Sequence, residues 1–410
     1  MKRVLFLDHV NRILGGAEIN LFELLGFSDL SKIWHVGCAT PESSPLRKAL
    51  QDHDISRDPG NHIEFIDYSL DGGLNELRVV GKHPLSPVLK IRSGLKSIRA
   101  GRDRFKAILD NFRPDAVISI PNKDHLVASR VCEELNIPHI WWVNDIISPD
   151  FFPWMARYSF FRAARSKTSY FAAVSNYAAR ALESGGIESS RIFTIHNGVP
   201  PQKYHGGDGS KFRDKNNISS ACFTFGVIGR WAHWKGQKFF IQLADAWEKK
   251  NSGLPVQFIL IGKAFNEDES FEKQLIAEAE MCNARHKRNL VQMVGYEKEV
   301  ADVLGGLDCL IHTSLQPEPF GRVIIESMIC GKPVIAAKAG AIPEIIDHNR
   351  NGLVAESGQM NSYIEQMERI YQDSQLRENL VNEGKKEVSR RFTLDRVKQD
   401  FCELVGKITA

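Results

Sequence analysis

Short apolar runs alternate with longer amphipathic segments along nearly the whole chain. A run of about four to eight apolar residues predicts a buried strand, whereas apolar residues recurring every three to four positions predict a helix. This pattern predicts strands at residues 4–7, 33–38, 116–120, 139–143, 171–174, 192–195, 223–228, 257–261, 291–294, 308–312, 334–336 and 353–355. The clearest predicted helices are residues 18–25, 123–135, 239–249, 271–282, 323–330 and 392–409.

The alternation of strands and helices favours parallel sheets with helices on both faces. Twelve strands are too many for one comfortable sheet, and residues 200–220, rich in proline, glycine and asparagine, interrupt the apolar pattern. We therefore expect an α/β protein with two Rossmann-like, doubly wound parallel-sheet domains, residues 1–200 and 201–391. The helix at 392–410 would join the first domain. Two such domains are expected to face each other across a ligand cleft beside the carboxyl ends of their strands.

The composition excludes several classes of protein. Hydrophobic residues make up 43% and charged residues 25% of the 410 positions, which excludes disorder as the main state. The net charge of +3 argues against a nucleic-acid partner. Seven scattered cysteines without a CxxC pair favour a reducing compartment over a disulfide framework or a zinc site. The apolar run of the first strand is too short for a signal peptide, so we expect a cytoplasmic protein.

Two glycine-containing turns are candidates for binding an anion. Gly15 and Gly16 follow the first strand and open a helix, whose free N–H groups could contact a phosphate. After the strand 223–228 come Gly229, Arg230 and Lys235, and the two cations could neutralise a diphosphate. The alternatives are a tight turn without a ligand in the first case and solvated loop charges in the second.

A third segment combines carboxylates with a helix start. Two prolines keep Glu318 in a loop, Gly321 permits a turn, and Glu326 lies in the helix that follows. A carboxylate can accept hydrogen bonds from the vicinal hydroxyls of a ribose or pyranose, and the N–H groups of Phe320 and Gly321 could contact a phosphate. The alternative is that both acids are solvated, but the apolar neighbours of Glu326 disfavour this for an unpaired carboxylate.

Taken in chain order, these segments resemble the retaining GT-B glycosyltransferases of family 4, the group 1 transferases. The resemblance covers essentially the whole chain, and Glu318 and Glu326 have the family's E-x7-E spacing. The matching segments are Gly15-Gly16-Ala17-Glu18, Val174-Ser175, Asn197-Gly198-Val199, Gly229-Arg230 with Lys235-Gly236, Glu318-Pro319-Phe320-Gly321 with Glu326, and Gly331-Lys332-Pro333-Val334.

The resemblance implies transfer of a hexose-type sugar from a UDP- or GDP-linked donor to a saccharide or lipid-linked acceptor, without a metal or other cofactor. It implies that Arg230 and Lys235 hold the donor diphosphate and that Glu318 binds the transferred sugar. These three residues would be the catalytic ones. The remaining donor-binding residues implied by the resemblance are Gly15, Gly16, Gly229, Phe320, Gly321 and Glu326.

The first half departs from the family pattern on the side expected to bind the acceptor. Many relatives have a histidine just after the strand at 116–120 and another after the following strand. Here His125 lies a few residues late, and Asn144-Asp145 stand in place of the second histidine. The acceptor-side candidates are therefore Asn122, His125, Asn144 and Asp145, although a lone histidine at a helix start is more often a capping or surface residue.

A metal-dependent alternative finds little support. Residues 52–54 formally match the DxD pattern of metal-dependent transferases, but they lie in a charged, loop-like segment, where a solvated turn is the better interpretation. Histidines and cysteines elsewhere lack ligand spacing, so we expect no metal site.

Two basic stretches, residues 77–102 and 151–182, contain no acidic residue. In the second, arginines alternate with aromatic residues, a combination that can seat a helix on the anionic inner face of a membrane. The alternative is a helix packed in the core with its cations in solvent.

For the whole chain, two other functions are candidates: an epimerase with the same fold, and a non-catalytic sugar-nucleotide-binding protein. A glycosidase that uses Glu318 and Glu326 is a weaker one.

Overall fold

A computed structural model describes residues 1–10, 15–53, 62–70, 100–264 and 269–410. The chain divides into two compact units. The first unit contains residues 1–197 and 394–410, and the second contains residues 198–393.

The first unit is built on a parallel sheet, to which the described residues contribute seven strands in the order β3-β2-β1-β4-β5-β6-β7. These strands are β1 (Lys2–Leu7), β2 (Trp34–Thr40), β3 (Ile63–Asp67), β4 (Ala116–Ser119), β5 (His139–Val143), β6 (Ser169–Ala173) and β7 (Ile192–Thr194). The α-helices are Gly16–Phe27, Pro45–Asp52, 100–112, Asn122–Glu134, Trp154–Ala164, Asn176–Ser184 and Leu394–Ile408.

The second unit has its own parallel sheet, with six strands from the described residues in the order β10-β9-β8-β11-β12-β13. The strands are β8 (Phe223–Ile228), β9 (Val256–Ile261), β10 (Val291–Val294), β11 (Cys309–His312), β12 (Val334–Ala337) and β13 (Leu353–Ala355). The α-helices are Pro201–Tyr204, Gly209–Lys215, Gln237–Lys250, Glu269–His286, Val300–Gly306, Arg322–Ile329, Ile342–Ile345, Met360–Gln372 and Ser374–Arg391.

The strand order reverses at one point in each sheet. In the first unit β1 pairs with both β2 and β4, and in the second β8 pairs with both β9 and β11. At such a switch point the connections leave the two central strands in opposite directions and open a crevice at their carboxyl ends. The switch points therefore lie where β1 meets β4 and where β8 meets β11.

Each unit has buried apolar side chains on its sheet and helices. In the second unit Phe225, Trp247 and Phe258 belong to one cluster of buried side chains. In the first unit one cluster includes Phe112 and a separate one includes Trp141. Burial of each such side chain contributes about 1.5–3 kcal/mol, which holds the strand ends in fixed positions.

All twelve predicted strands are confirmed, and β3 is an additional strand that the apolar pattern did not predict. β3 is an edge strand, and only Ile63 of its five residues is buried, so it lacks a continuous apolar run. Residues 200–220, expected to be a linker, include the helices Pro201–Tyr204 and Gly209–Lys215 of the second unit. The basic stretch 77–102, apart from residues 100–102, lies outside the described residues.

Candidate functional site

The candidate site of the second unit forms at its switch point, from the segments that follow β8 and β11. The segment after β8 contains a 3₁₀ turn, His233–Lys235. Thr313 Oγ1 donates to the carbonyl of Lys235 over 2.9 Å, and Leu315 N donates to the carbonyl of Trp234 over 2.8 Å. These two hydrogen bonds join the segments and fix the position of the Lys235 backbone.

Gly236 is required for this close approach. Its φ of 75° lies in the left-handed region, and a Cβ atom built there would lie 2.1 Å from the carbonyl oxygen of Thr313. Any side chain would therefore push the two segments apart.

Lys235 and Glu318 form an ion pair at the centre of this site. Lys235 Nζ lies 2.5 Å from Glu318 Oε1 and 4.3 Å from the centre of the Trp234 ring. The same carboxylate oxygen accepts from Ser314 Oγ over 2.5 Å and lies 3.2 Å from His312 Nε2. With only 4% of its surface exposed, Glu318 is not a solvated loop charge.

The surroundings of Glu318 determine its ionisation. Burial opposes the charged form, but the positive charge of Lys235 and the hydrogen bond from His312 outweigh burial and hold the pKa of Glu318 well below its ordinary value of 4.5. Glu318 is therefore an ionised acceptor at neutral pH. The main chain of Glu318 is also fixed, because Ala341 N donates to its carbonyl over 3.0 Å.

Gly229 and Arg230 follow β8 directly. Gly229 has a φ of 153°, and its N–H donates to Ile261 over 3.1 Å, which continues the sheet pairing by one residue. Arg230 is half-buried, and Gln237 Nε2 donates to its carbonyl over 2.9 Å. Both residues therefore lie at the carboxyl edge of β8, the edge that also leads to Lys235.

The helix Arg322–Ile329 begins at this edge as well. Gly321 is its N-cap residue with a φ of 103°, and no side chain caps the helix. The Phe320 side chain is buried. Glu326 is nearly buried, and its Oε1 accepts from Arg322 Nη2 over 3.0 Å. Arg322 is thus a neighbour of Glu326 that the sequence analysis did not single out, although the i,i+4 spacing indicates it.

In the first unit, Gly15 and Gly16 lie exposed at the start of the helix Gly16–Phe27. The Gly15 N–H donates to Glu18 Oε2 over 2.8 Å. A Cβ atom on Gly15 would lie 2.8 Å from the same oxygen. The absence of a side chain on Gly15 therefore allows the Glu18 carboxylate to reach the backbone N–H at the start of the helix. Glu18 is therefore the cap of its own helix.

The switch point of the first unit holds a histidine and an aspartate that the sequence analysis missed. His9 follows β1, and its Nδ1 lies 2.9 Å from Oδ2 of the buried Asp124. The His9 backbone N–H also donates to Oδ2 over 3.0 Å, while Tyr68 donates to Oδ1 over 3.3 Å. An aspartate at Nδ1 favours the tautomer that carries the proton on Nδ1, which leaves Nε2 as an acceptor. The only sequence signal was that Asp8 and His9 end the apolar run of β1.

Three of the four acceptor-side candidates lie at the same edge of this sheet. Asn122 Nδ2 donates to the exposed Asp145 over 2.7 Å. Asn144 accepts from the buried Asn20 over 3.1 Å, and Asn20 also donates to Asn197 over 2.9 Å. These residues form a polar rim at the carboxyl ends of β4 and β5.

The fourth candidate, His125, lies elsewhere than expected. It is fully buried, its Nδ1 lies 2.6 Å from Ser119 Oγ, and its ring stacks on Trp141 with 4.8 Å between ring centres. Burial, and secondarily His139, keeps the pKa of His125 well below 6.5, so the ring is neutral. His125 is a core residue, neither an accessible acceptor-side group nor a surface or capping residue.

Among the described residues, one group combines three potential metal ligands, Asp245, Cys282 and His286. Burial opposes ionisation of Asp245, but hydrogen bonds from Lys249, Arg285 and His286 lower its pKa to about 2. These partners already occupy the carboxylate, so the group is better described as an ion-pair cluster. Of the DxD-like residues 52–54, Asp52 ends a helix, His53 is its C-cap, and Asp54 lies outside the described residues.

In the described part of the chain, no helix is both long enough and apolar enough to span a membrane.

Two family models match the chain: Glycosyltransferase Family 4 over residues 57–203 and Glycosyl transferases group 1 over residues 208–387. The chain is 21% identical over 210 residues to the N-acetyl-alpha-D-glucosaminyl L-malate synthase of Bacillus anthracis, a match that covers 51% of this chain and 52% of the relative. It is 24% identical over 199 residues to a D-inositol 3-phosphate glycosyltransferase of Pseudarthrobacter chlorophenolicus. That match covers 48% of this chain and 46% of the relative. The chain thus spans about half the length of the curated relatives it matches.

Solved structures resemble this protein over nearly its whole length. HepE of Anabaena, crystallised with UDP and glucose, is 23% identical with a TM-score of 0.79, covering 99% of this chain and 100% of HepE. Sucrose-phosphate synthase of Thermosynechococcus elongatus is 16% identical with a TM-score of 0.77. This match covers 100% of this chain and 99% of the synthase.

The two family models match successive parts of the chain, and each unit has a Rossmann-like parallel sheet. The chain therefore belongs to the group 1 glycosyltransferases and has the two-domain fold of GT-B enzymes.

Proposed function

We propose that this protein transfers a hexose-type sugar from a nucleotide-diphospho-sugar to an acceptor hydroxyl, with retention of configuration. The observation that carries the proposal is the Lys235–Glu318 pair at the switch point of the second unit. There a fixed cation and an ionised acceptor of hydroxyl hydrogen bonds lie side by side. A diphosphate joined to a sugar needs both kinds of group.

In the proposed donor complex, Lys235 contacts the diphosphate and keeps its ion pair with Glu318. An ammonium group has three donor hydrogens, and the ion pair uses one of them. Arg230 supplies the second cation, and Gly229, Phe320 and Gly321 supply backbone contacts. Glu318 accepts from hydroxyls of the transferred sugar. Glu326 accepts from the ribose, with Arg322 holding one of its oxygens.

During the proposed reaction the bond between the anomeric carbon and the diphosphate oxygen breaks, and the acceptor oxygen forms its bond on the same face. The departing phosphate takes the acceptor proton. Arg230 and Lys235 neutralise the charge that develops on the diphosphate, a stabilisation that acts most strongly in the transition state. We therefore propose that the reaction needs no metal, and activity retained in excess EDTA would support this.

On the acceptor side we propose the polar rim of the first unit, Asn122, Asn144 and Asp145, together with His9, which follows β1 at the same switch point rather than either strand where the family pattern has a histidine. The acceptor is proposed to be a saccharide or a lipid-linked saccharide. The scattered cysteines, which are all free, are consistent with a cytoplasmic enzyme.

A thermal-shift screen of UDP-, GDP- and ADP-sugars, followed by a transfer assay with saccharide acceptors, tests the proposal. HepE has been crystallised with UDP-glucose, so UDP-sugars are the first probes. A donor should raise the melting temperature by mass action and should be hydrolysed slowly in the absence of acceptor. Binding without hydrolysis or transfer would favour a sugar-nucleotide-binding protein, and isomerisation of the donor without acceptor would favour an epimerase. If no sugar nucleotide binds, the proposal is wrong.

A further inference from the structure

The helix Trp154–Ala164 of the first unit carries large side chains that are left in contact with solvent. Trp154 is 73% exposed, Tyr158 is 60% exposed and Met155 is 41% exposed. Trp154 and Tyr158 are four residues apart, so they lie on the same side of the helix. Single exposed apolar residues are ordinary, but a cluster of this kind usually marks an interaction surface.

Three arginines lie among these aromatic residues. Arg157, Arg162 and Arg165 line a surface pocket of about 380 Å³ together with Trp154, Tyr158 and Phe161. We call these six residues the arginine–tryptophan surface. Within the described residues, no carboxylate forms an ion pair with its arginines, and Nε of Arg157 is buried without a hydrogen-bond partner. The pocket therefore offers positive charge that no described acidic group neutralises.

The opposite side of the helix is firmly packed. Phe160 and Ala164 are buried, the Phe160 ring lies 4.9 Å from that of Trp141, and Ser129 Oγ donates to the carbonyl of Ala163 over 2.8 Å. The alternative expectation, that this helix packs in the core, is therefore correct for one side of the helix only. The exposed side chains project from a helix whose backbone is already fixed. No folding step is therefore needed before they contact a binding partner.

The helix follows β5, and in a parallel α/β sheet the connecting helix starts at the carboxyl edge of the preceding strand. Trp154 is thus on the edge of the first unit that also carries Asn144 and Asp145. A bilayer at the arginine–tryptophan surface would lie against the edge to which the acceptor side is assigned.

We propose that the arginine–tryptophan surface docks onto an anionic lipid bilayer. The arginines bind headgroup phosphates, and Trp154 and Tyr158 insert their rings at headgroup depth, where amphipathic aromatic residues are stable. A soluble phosphate compound would bind the arginines and leave Trp154 and Met155 in water. An anionic bilayer complements the charge of the arginines and also removes Trp154 and Met155 from water. The proposal goes beyond sugar transfer; its location beside the acceptor side rests on the proposed function, whereas the exposed arginines and aromatic rings do not.

Cosedimentation of the full chain with vesicles tests this proposal. The vesicles are phosphatidylcholine alone and an equal mixture with phosphatidylglycerol, at low and high salt. We expect binding to the mixed vesicles only, with loss at high salt because screening weakens charge attraction. The triple variant Arg157→Ala/Arg162→Ala/Arg165→Ala should bind about a hundredfold more weakly, from roughly a factor of five per basic residue.

Two further variants separate charge from insertion. Lys48→Ala/Lys106→Ala/Lys273→Ala removes the same charge from exposed lysines elsewhere and should bind like the wild type. Trp154→Ala changes no charge and should still weaken binding severalfold. Circular dichroism and thermal melting confirm that each variant is folded. Equal binding to neutral and anionic vesicles, equal loss in both triple variants, or binding of glycerol phosphate without binding of vesicles would each overturn the proposal.

Discussion

Lys235 Nζ and Glu318 Oε1 lie 2.5 Å apart, although the two residues are 83 positions apart in the chain. Glu318 is nearly buried, whereas the Lys235 side chain keeps a quarter of its surface exposed. The cation thus neutralises a buried carboxylate and still faces outward. This arrangement makes Lys235 important both for stability and for the proposed contact with the donor.

Replacement of Lys235 should affect both properties. Lys235→Ala leaves the buried carboxylate without its cation, so we expect a loss of about 1–3 kcal/mol in the free energy of unfolding, measured with urea. Transfer should fall about a hundredfold or more, as it should in Arg230→Ala.

The double variant Lys235→Ala/Glu318→Gln distinguishes these two effects. It removes the uncompensated charge, so stability should recover while transfer does not. Lys238→Ala is the matched control, because Lys238 forms only a surface pair with Glu278. Equal loss of transfer in the Lys238 variant would contradict the role of Lys235.

Replacement of Glu318 should separate the sugar from the nucleotide. Glu318→Gln keeps the shape of the side chain but weakens its hydrogen bonds to hydroxyls. We expect kcat/KM for the donor sugar to fall about ten- to hundredfold, while calorimetry shows UDP binding nearly unchanged. A similar loss of affinity for UDP and for the UDP-sugar would count against the proposed contact with the sugar.

The lowered pKa of Glu318 predicts a dependence of stability on pH. A carboxyl group whose pKa is lower in the folded than in the unfolded state stabilises the fold above its unfolded pKa, here 4.5, and loses that contribution as the pH falls. The stability difference between wild type and Glu318→Gln should therefore be constant from about pH 5 to 8 and shrink below pH 4.5. Urea unfolding of both proteins across this range measures it, and a constant difference down to about pH 3 would refute the ion-pair explanation.

His9 should matter for the acceptor but not for the donor. In His9→Ala, Asp124 keeps its bonds to the His9 backbone and to Tyr68, so the melting temperature should change little. Transfer to an acceptor should fall about ten- to hundredfold, with donor binding unchanged. Asp124→Asn, which retains an oxygen facing Nδ1, should keep more activity than Asp124→Ala.

His35→Ala is the matched control for His9, because His35 also pairs with an acid, Glu64, but on the half-exposed surface of β2. It should leave transfer unchanged. Wild-type transfer by the His9 variant would exclude His9 from the acceptor side.

His125 should show the opposite behaviour. Its ring fills the core between Ser119 and Trp141. His125→Ala should therefore cost about 2–4 kcal/mol of folding stability through the cavity and the lost hydrogen bond. Thermal unfolding measures this loss, and transfer per folded molecule should stay close to that of the wild type. A stable variant with little transfer would return His125 to the acceptor side.

The sequence alone predicted the fold well because the deciding signals are local. Buried strands of a parallel sheet read as short apolar runs, and twelve such runs proved to be strands. The sequence also indicated which loops carry polar chemistry, since Arg230, Lys235 and Glu318 all follow strands. β3 was not predicted because an edge strand with one buried residue has no continuous apolar run.

Only the tertiary structure decided which of these residues touch. His9 and Asp124 are 115 positions apart, and Asn20 and Asn197 are 177 apart. No local periodicity encodes such distances, because they depend on which strands are neighbours and where the sheet reverses. The same dependence buried His125, which was expected at the acceptor side, and placed His9, which follows β1, against Asp124. The sequence by itself therefore determined the elements and the kinds of chemistry, while packing at the two switch points decided the partners.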